Sequence, residues 1–336
     1  MIPNTMKAMV LTGHGDVDKL ECQDVSVPTP GPGEVLVQVT ATAKNNTDRK
    51  AREGLYPTKK GEMTSFQMGG KPTLVFPRIQ GADIAGRIAA VGEGVDESRI
   101  GERGLLDFNI YANDRRDINL TPDYFGHGAD GGYAEYVALP ADQFHHIPNP
   151  ELGDAEVASM GMCSYQTAMH MLTSARIKAG ERVLVTGASG GVGTALIQLC
   201  RIMGATPYAL SKQDKAAALL ELGAEAVLDR SDMDSFVDRV KAETGGKPID
   251  AVMDLVGGDR VHPADLWAHE WRWIDAAEPA GIVERGVARR GGQARIGEEA
   301  LEAARRHDHE MASGNVADHP ERVLLAARHE HRAAGA

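Results

Sequence analysis

Cysteine is scarce in this chain: Cys22, Cys163 and Cys200 are the only 3 among 336 residues, and no two form a Cys-x-x-Cys pair. That excludes a disulfide framework and a cysteine-rich zinc site, and it leaves three thiols whose expected place is an apolar core. Positive charge is short as well. Lys and Arg number 36 against 48 Asp and Glu, a formal net charge of -12, which excludes a broad nucleic-acid or anionic-membrane surface. Aromatic residues make up only 5%, so the core has to be aliphatic. No apolar run reaches the roughly 20 residues of a membrane span, and residues 1–10 lack the apolar block of a secretory signal. The expectation is a soluble, cytoplasmic protein whose partners are small molecules and other copies of itself, with no nucleic acid and no membrane.

What the chain does have is glycine in an informative place. Val183-Leu184-Val185 reads as an apolar strand that runs through Thr186, Gly187, Ala188, Ser189, Gly190, Gly191, Val192 and Gly193 into a helix expected over 194–203. Gly187, Gly190 and Gly193 permit a tight turn, close backbone approach to a pyrophosphate and close helix-on-strand packing. A glycine triplet alone is weak evidence, but this one has the required context. The strand is β-branched, and Ala195, Leu196, Leu199 and Met203 give the helix a buried stripe. The alternative is a plain tight turn between strand and helix.

At 336 residues the chain exceeds the roughly 250–300 residues at which single cores stop growing, so two domains are expected. Residues 1–150 alternate short β-rich runs with Gly and Pro, including strands over 7–12, 34–43, 84–91 and 133–139. Residues 105–132 read as a surface lobe, and Pro148-Asn149-Pro150 as the exit from this domain. Residues 151–258 alternate strand and helix, which predicts an α/β domain with a parallel sheet whose fourth strand is 249–256. After Gly258 the composition breaks. Residues 259–336 contain no Lys, Thr, Tyr, Phe or Cys, yet hold all 3 Trp and 7 of the 12 His. Only Trp273-Ile274 and Gly281-Ile282-Val283 offer short strand-like pieces there, and helices are conceivable over 298–306 and 321–328. Such Ala, Arg, Gly, His and Trp enrichment is what an out-of-frame reading of GC-rich DNA produces, so this atypical Ala/Arg/His-rich tail is expected to be frameshifted.

Several motifs in order resemble the medium-chain dehydrogenase/reductase superfamily over residues 6–258. They are Met6-Lys7-Ala8-Met9-Val10, the Pro30-Gly31-Pro32-Gly33-Glu34-Val35 turn, Asn45-Asn46-Thr47-Asp48, the segment 81–94, Asp130-Gly131-Gly132-Tyr133-Ala134-Glu135-Tyr136, and the glycine turn. The resemblance implies a β-rich GroES-like catalytic domain followed by a Rossmann doubly wound parallel sheet. Family members carry two further strand and helix units, so the sheet is expected to be incomplete at its C-terminal side. That exposes an apolar sheet edge and works against the homodimer otherwise anticipated.

Zinc-dependent members of that superfamily place a Cys ligand where this chain has Asn45, a His ligand where it has Ala82, and a further ligand just before the Rossmann domain. Asn and Ala cannot replace a thiolate and an imidazole on zinc, so no metal is expected. His127, His145 and His146 lack partners at ligand spacing and are placed at a lobe surface and a strand edge. Asn45-x-x-Asp48 is similar to the pattern of the zinc-free quinone oxidoreductase and enoyl-reductase branch. Without a Lewis acid an alcohol is hard to deprotonate, whereas a quinone or activated enone takes hydride directly at carbon. By resemblance Asn45 orients the substrate carbonyl or the nicotinamide amide and Asp48 braces the loop. The alternative is an Asn-rich turn with Asp48 as a helix cap. Tyr56 and Tyr133 are candidates to reach a substrate carbonyl, against ordinary packed tyrosines.

Cofactor choice turns on the end of the second Rossmann strand, where NAD-specific proteins carry an acid. Here Ser211, Lys212 and Lys215 suit a 2′-phosphate, with Asp214 as a helix N-terminal charge, so NADPH is expected. The alternative is a pair of merely solvated lysines. By resemblance Thr167 lies near the phosphates, and Val256 and Gly257 near the nicotinamide. The first reading is therefore an NADPH-dependent, zinc-independent oxidoreductase acting on a quinone or α,β-unsaturated carbonyl. An alcohol dehydrogenase-like carbonyl reductase and a non-catalytic dinucleotide-binding relic are the alternatives.

Overall fold

The structure is a computed structural model that describes residues 1–55, 67–68, 71–72, 74–111, 123–256, 271–275 and 283–286. The chain divides into two compact units, Met1–Arg285 and Gly286–Ala336. Tyr56, Gly257 and the helices expected over 298–306 and 321–328 lie outside the described residues.

The first half is antiparallel. Strands Thr5–Leu11 and Leu20–Ser26 pair in the register Met6↔Val25 and Ala8↔Gln23. Met6, Ala8 and Val10 face inward while Thr5, Lys7 and Met9 face out, the period-2 alternation of a half-buried sheet. A five-stranded sheet follows in the order Tyr136–Pro140, Glu34–Ala43, Asp83–Val91, Arg103–Leu106, Phe144–His146. Its inner face buries Val35, Val37, Ile84, Ile88, Leu106, Leu139 and Phe144. Each such aliphatic side chain contributes about 1.5–3 kcal/mol. Helix α1, Asn46–Arg52, leaves the end of the longest strand and so starts beside this core.

A connecting segment holds α2 (Asp154–Ser159), a π-helical turn Met162–Gln166 and α3 (Thr167–Ser174). The second half is a six-stranded sheet, parallel through its first five strands. Its order is Ala226–Asp229, Thr206–Ser211, Arg182–Val185, Ala251–Asp254, Trp271–Asp275, Val283–Gly286. Val183, Leu184, Val185, Ala251, Val252 and Met253 are fully buried, as strands covered on both faces require. Helix α4, Gly191–Ile202, covers one face through Ala195, Leu196, Leu199 and Cys200. It begins three residues earlier than the sequence reading placed it, because the glycines themselves form its first turn. Short helices α5 (Ala216–Glu221) and α6 (Phe236–Glu243) complete the alternation, and α6 buries Phe236 and Val240 against the other face.

The sheet continues past residue 258. Trp271–Asp275 pairs parallel with Ala251–Asp254, Val252 opposite Trp273, and Val283–Gly286 lies beyond it. A short run suffices for a strand when a preformed neighbour offers its hydrogen-bonding edge, a context that sequence periodicity does not reveal.

Candidate functional site

Asn45 is the N-cap residue of α1, and its backbone N–H donates to Asp48 Oδ2 at 2.9 Å. Asp48 is therefore the helix cap that the plain reading anticipates. It is more than that. The Tyr133 phenol donates to the same Oδ2 at 3.0 Å, and Gln80 Nε2 donates to the Asp48 carbonyl at 3.0 Å. Asp48 Oδ1 has no partner among the described residues.

Asn45 also ties a second buried acid. Its Nδ2 donates to Asp83 Oδ2 at 2.8 Å, and the Cys163 backbone N–H donates to Asp83 Oδ1 at 3.1 Å. Gly161 lies so close that a methyl group there would overlap the Asp83 carboxyl. Asp83 belongs to the β-rich half and Cys163 to the π-helical turn leading into α3, so this contact joins the two halves. Burial pushes the Asp83 carboxyl up to about 6, with the Asp48 charge adding to the rise and the Cys163 N–H and Asn45 amide opposing it. Burial likewise raises Asp48, against its Asn45 and Tyr133 hydrogen bonds. The Tyr133 phenol is raised by burial and by Asp48, and the Cys163 thiol by burial and by Asp83. The cluster thus keeps its phenol and thiol protonated at neutral pH.

Sequence reasoning misses Asp83 altogether and treats Cys163 as an ordinary buried thiol. The available signal for Cys163 is its position just before the Rossmann half, where the resemblance puts a further ligand. The donor set does not fit zinc. Ala82 offers no donor, Asn45 Nδ2 is committed to Asp83, and both Asp83 oxygens already accept N–H groups. Among the described residues no three His, Cys, Asp or Glu side chains converge to hold a metal ion.

His127 departs from the surface position expected of it. It is 4% exposed, stacked on Tyr124 at 5.2 Å, and its Nδ1 lies 2.8 Å from Asp123 Oδ1. The pattern of alternating polar and glycine residues hides the fact that Asp123, Tyr124, Phe125 and His127 all turn inward. Tyr124 OH in turn lies 2.8 Å from Thr47 Oγ1 on α1. His145 and His146 are exposed on the edge strand Phe144–His146.

In the second half, Gly187 has φ +57, and the Gly190 N–H donates to Gly187 O at 3.0 Å. A methyl group at Gly193 would sit 2.6 Å from Ala188 Cα, so only glycine lets α4 lie against the turn. Ser189, Gly190 and Gly191 are exposed, and among the described residues no side chain caps the N-terminus of α4. An open turn over an uncapped helix N-terminus fits a pyrophosphate. Thr186 Oγ1 donates to Asp254 Oδ1 at 2.5 Å, and the Val256 N–H donates to the same oxygen at 3.0 Å. These bonds place the half-exposed Val256 beside Gly187, while Val192 packs partly buried on α4.

Ser211 ends its strand buried, and Lys212 and Lys215 stand exposed after it, Lys215 Nζ 3.6 Å from Asp214 Oδ2. The backbone N–H of exposed Arg230, which sequence reasoning overlooks, donates to Ser211 O at 2.8 Å. Thr167 begins α3, its Oγ1 3.5 Å from Met162 O. A groove of about 960 Å³ opens elsewhere, lined by Met6, Val10, Arg78, Phe125 and Tyr136, and none of these site residues lines it.

Residues 31–149 match the Alcohol dehydrogenase GroES-like domain family, and residues 191–266 match the Zinc-binding dehydrogenase family. An alcohol dehydrogenase candidate from Sinorhizobium meliloti 1021 is 44% identical, with a TM-score of 0.73 over 90% of this chain and 81% of its own. The quinone oxidoreductase of Sus scrofa is 29% identical over 78% of this chain and 69% of its own length. The synaptic vesicle membrane protein VAT-1 homolog of Homo sapiens is 32% identical over 75% of this chain. The match spans only 56% of that protein's length. Among the described residues no helix is long and apolar enough to cross a membrane. An antiparallel sheet of the GroES-like type joined to a six-stranded sheet whose first five strands are parallel, both matched in sequence, settles the ancestry: the chain belongs to the medium-chain dehydrogenase/reductase superfamily.

Proposed function

We propose that the chain is an NADPH-dependent, zinc-independent oxidoreductase that reduces a quinone or an α,β-unsaturated carbonyl by hydride transfer. One observation carries the reading: an open, uncapped glycine turn stands in the same unit as a cluster in which the Asn45 amide and both Asp83 oxygens are already paired, a set that does not fit zinc. Gly187, Ser189, Gly190, Gly191, Val192 and Gly193 hold the pyrophosphate, Thr167 lies near it, and Val256 and Gly257 border the nicotinamide. Ser211, Lys212 and Lys215 take the 2′-phosphate, which distinguishes NADPH from NADH. Once bound, the reduced nicotinamide supplies a hydride.

The chain's own residues then orient and exclude. Asn45, fixed by Asp83, positions the substrate carbonyl or the nicotinamide amide, and Asp48 braces the loop through Tyr133. An electron-poor carbon needs no metal to accept hydride, and one proton taken up from solvent completes a hydroquinone or saturated carbonyl. Tyr56 completes the proposed substrate end. The proposal includes domains at 1–150 and 151–258, an atypical tail over 259–336 and a cytoplasmic location; the family match to residue 266 and the strand Trp271–Asp275 put any out-of-frame start beyond residue 259, and the atypical tail works against a homodimer.

The 44% identity to an alcohol dehydrogenase candidate supports a second reading, an alcohol dehydrogenase-like carbonyl reductase. The composition break after Gly258 supports a third, a dinucleotide-binding relic without turnover. Fluorescence titration with NADPH and NADH, followed by turnover with a benzoquinone and an enone, separates them. Micromolar NADPH binding with weaker NADH binding and quinone or enone turnover is the expected result. Chelator-sensitive alcohol oxidation moves the assignment to the second reading, and binding without turnover to the third.

A further inference from the structure

The π-helical turn Met162–Gln166 sends consecutive residues in opposite directions. Cys163 turns its N–H to Asp83, whereas Ser164 turns its hydroxyl to the glycine turn. A methyl group on Gly191 would sit 2.7 Å from Ser164 Oγ, so the hydroxyl stands directly over the first residue of α4. Ser164 is only 7% exposed, its hydroxyl makes no hydrogen bond to the described residues, and its oxygen keeps contact with solvent. A hydroxyl held at the turn without a protein acceptor is free to donate to a ligand oxygen. The helix beneath it is 12 residues long, uncapped, and opens on the exposed Ser189, Gly190 and Gly191.

We infer that Ser164 donates a hydrogen bond to a phosphate oxygen of the dinucleotide, from the side of the turn opposite the α4 amides. The inference rests on the proposed cofactor binding and adds a ligand that the glycine motif does not contain. It also gives the π-helical turn a purpose. One residue grips the acid of the substrate end and the next grips the phosphates, so the two ends of the cleft are set by a single short segment. Ser164 is thus a binding residue for the pyrophosphate, not for the 2′-phosphate or the nicotinamide.

The test is equilibrium binding of NADPH, NADH and adenosine 2′-monophosphate, which lacks the pyrophosphate, to wild type, S164A and S164T. Loss of one hydrogen bond to a charged group weakens S164A for NADPH and NADH by the same factor, roughly tenfold or more. Adenosine 2′-monophosphate binding stays unchanged, and S164T, which keeps the hydroxyl, retains most of the affinity. Unchanged far-ultraviolet circular dichroism and an unchanged nucleotide monophosphate affinity show that the variants are folded. Wild-type NADPH binding that S164A leaves within twofold overturns the inference and leaves the cofactor assignment standing. A wild type that binds neither dinucleotide overturns both.

Discussion

Replacing Asp83 by Asn removes one buried charge and little volume, and its effect on stability depends on pH in a direction the structure dictates. Asp83 is completely buried, and burial moves its carboxyl from 3.8 to about 6. A carboxyl raised on folding binds its proton more tightly in the native state. Its contribution to stability is full below the unfolded value of 3.8 and is lost as pH rises through about 6. That displacement corresponds to about 3 kcal/mol in total. The experimentally convenient window from about pH 4.5 to pH 7.5 captures about 2 kcal/mol of it, because the unfolded carboxyl is already largely ionised at its lower end. Urea unfolding followed by circular dichroism across that window, for wild type and D83N, isolates the site from every other carboxylate. Wild type should lose about 2 kcal/mol relative to D83N on going from the acidic to the neutral end. A difference that stays flat with pH would refute the burial argument, whatever the mean stability of the variant.

G193A should be destabilised by about 1–3 kcal/mol and lose dinucleotide binding, because its methyl group meets Ala188 Cα at 2.6 Å. Thermal unfolding and NADPH titration check both effects. Exchanging Lys212, Lys215 and Arg230 together for Ala should weaken NADPH by roughly tenfold or more and leave NADH unchanged, read by titration. Equal losses for the two dinucleotides would remove the 2′-phosphate from this corner. Y133F should cost about 1–3 kcal/mol at neutral pH, since it leaves the buried Asp48 carboxylate with one donor fewer. The cost should shrink as acid protonates Asp48, whose carboxyl burial already raises.

What the sequence reveals of this fold is mostly local. The glycine turn and α4 are legible because their conformation and packing are written within a dozen neighbouring residues, and the strand and helix alternation around them gives the parallel sheet. Asn45 and Asp48 are legible as a pair because three residues separate a cap from its carboxylate. The partners that make them a site are not. Asp83 meets Cys163 across 80 residues, and Tyr133 meets Asp48 across 85, distances over which no periodicity carries information. His127 misleads for the same reason, since its burial is decided by the Tyr124 ring and Asp123 and not by the polarity of its own segment.

The bare N-terminus of α4 ties the folding of this protein to its nutrition. Among the described residues no side chain satisfies that helix end, so an anion that settles there stabilises the native state and has nothing to bind in the unfolded one. At a dinucleotide concentration 100 times the dissociation constant the gain is about 2.7 kcal/mol, a sizeable share of the total stability of an ordinary domain. A cell whose total pool of the bound dinucleotide falls would then see this protein cleared faster by proteolysis. Its abundance would report on cofactor supply before any substrate is turned over.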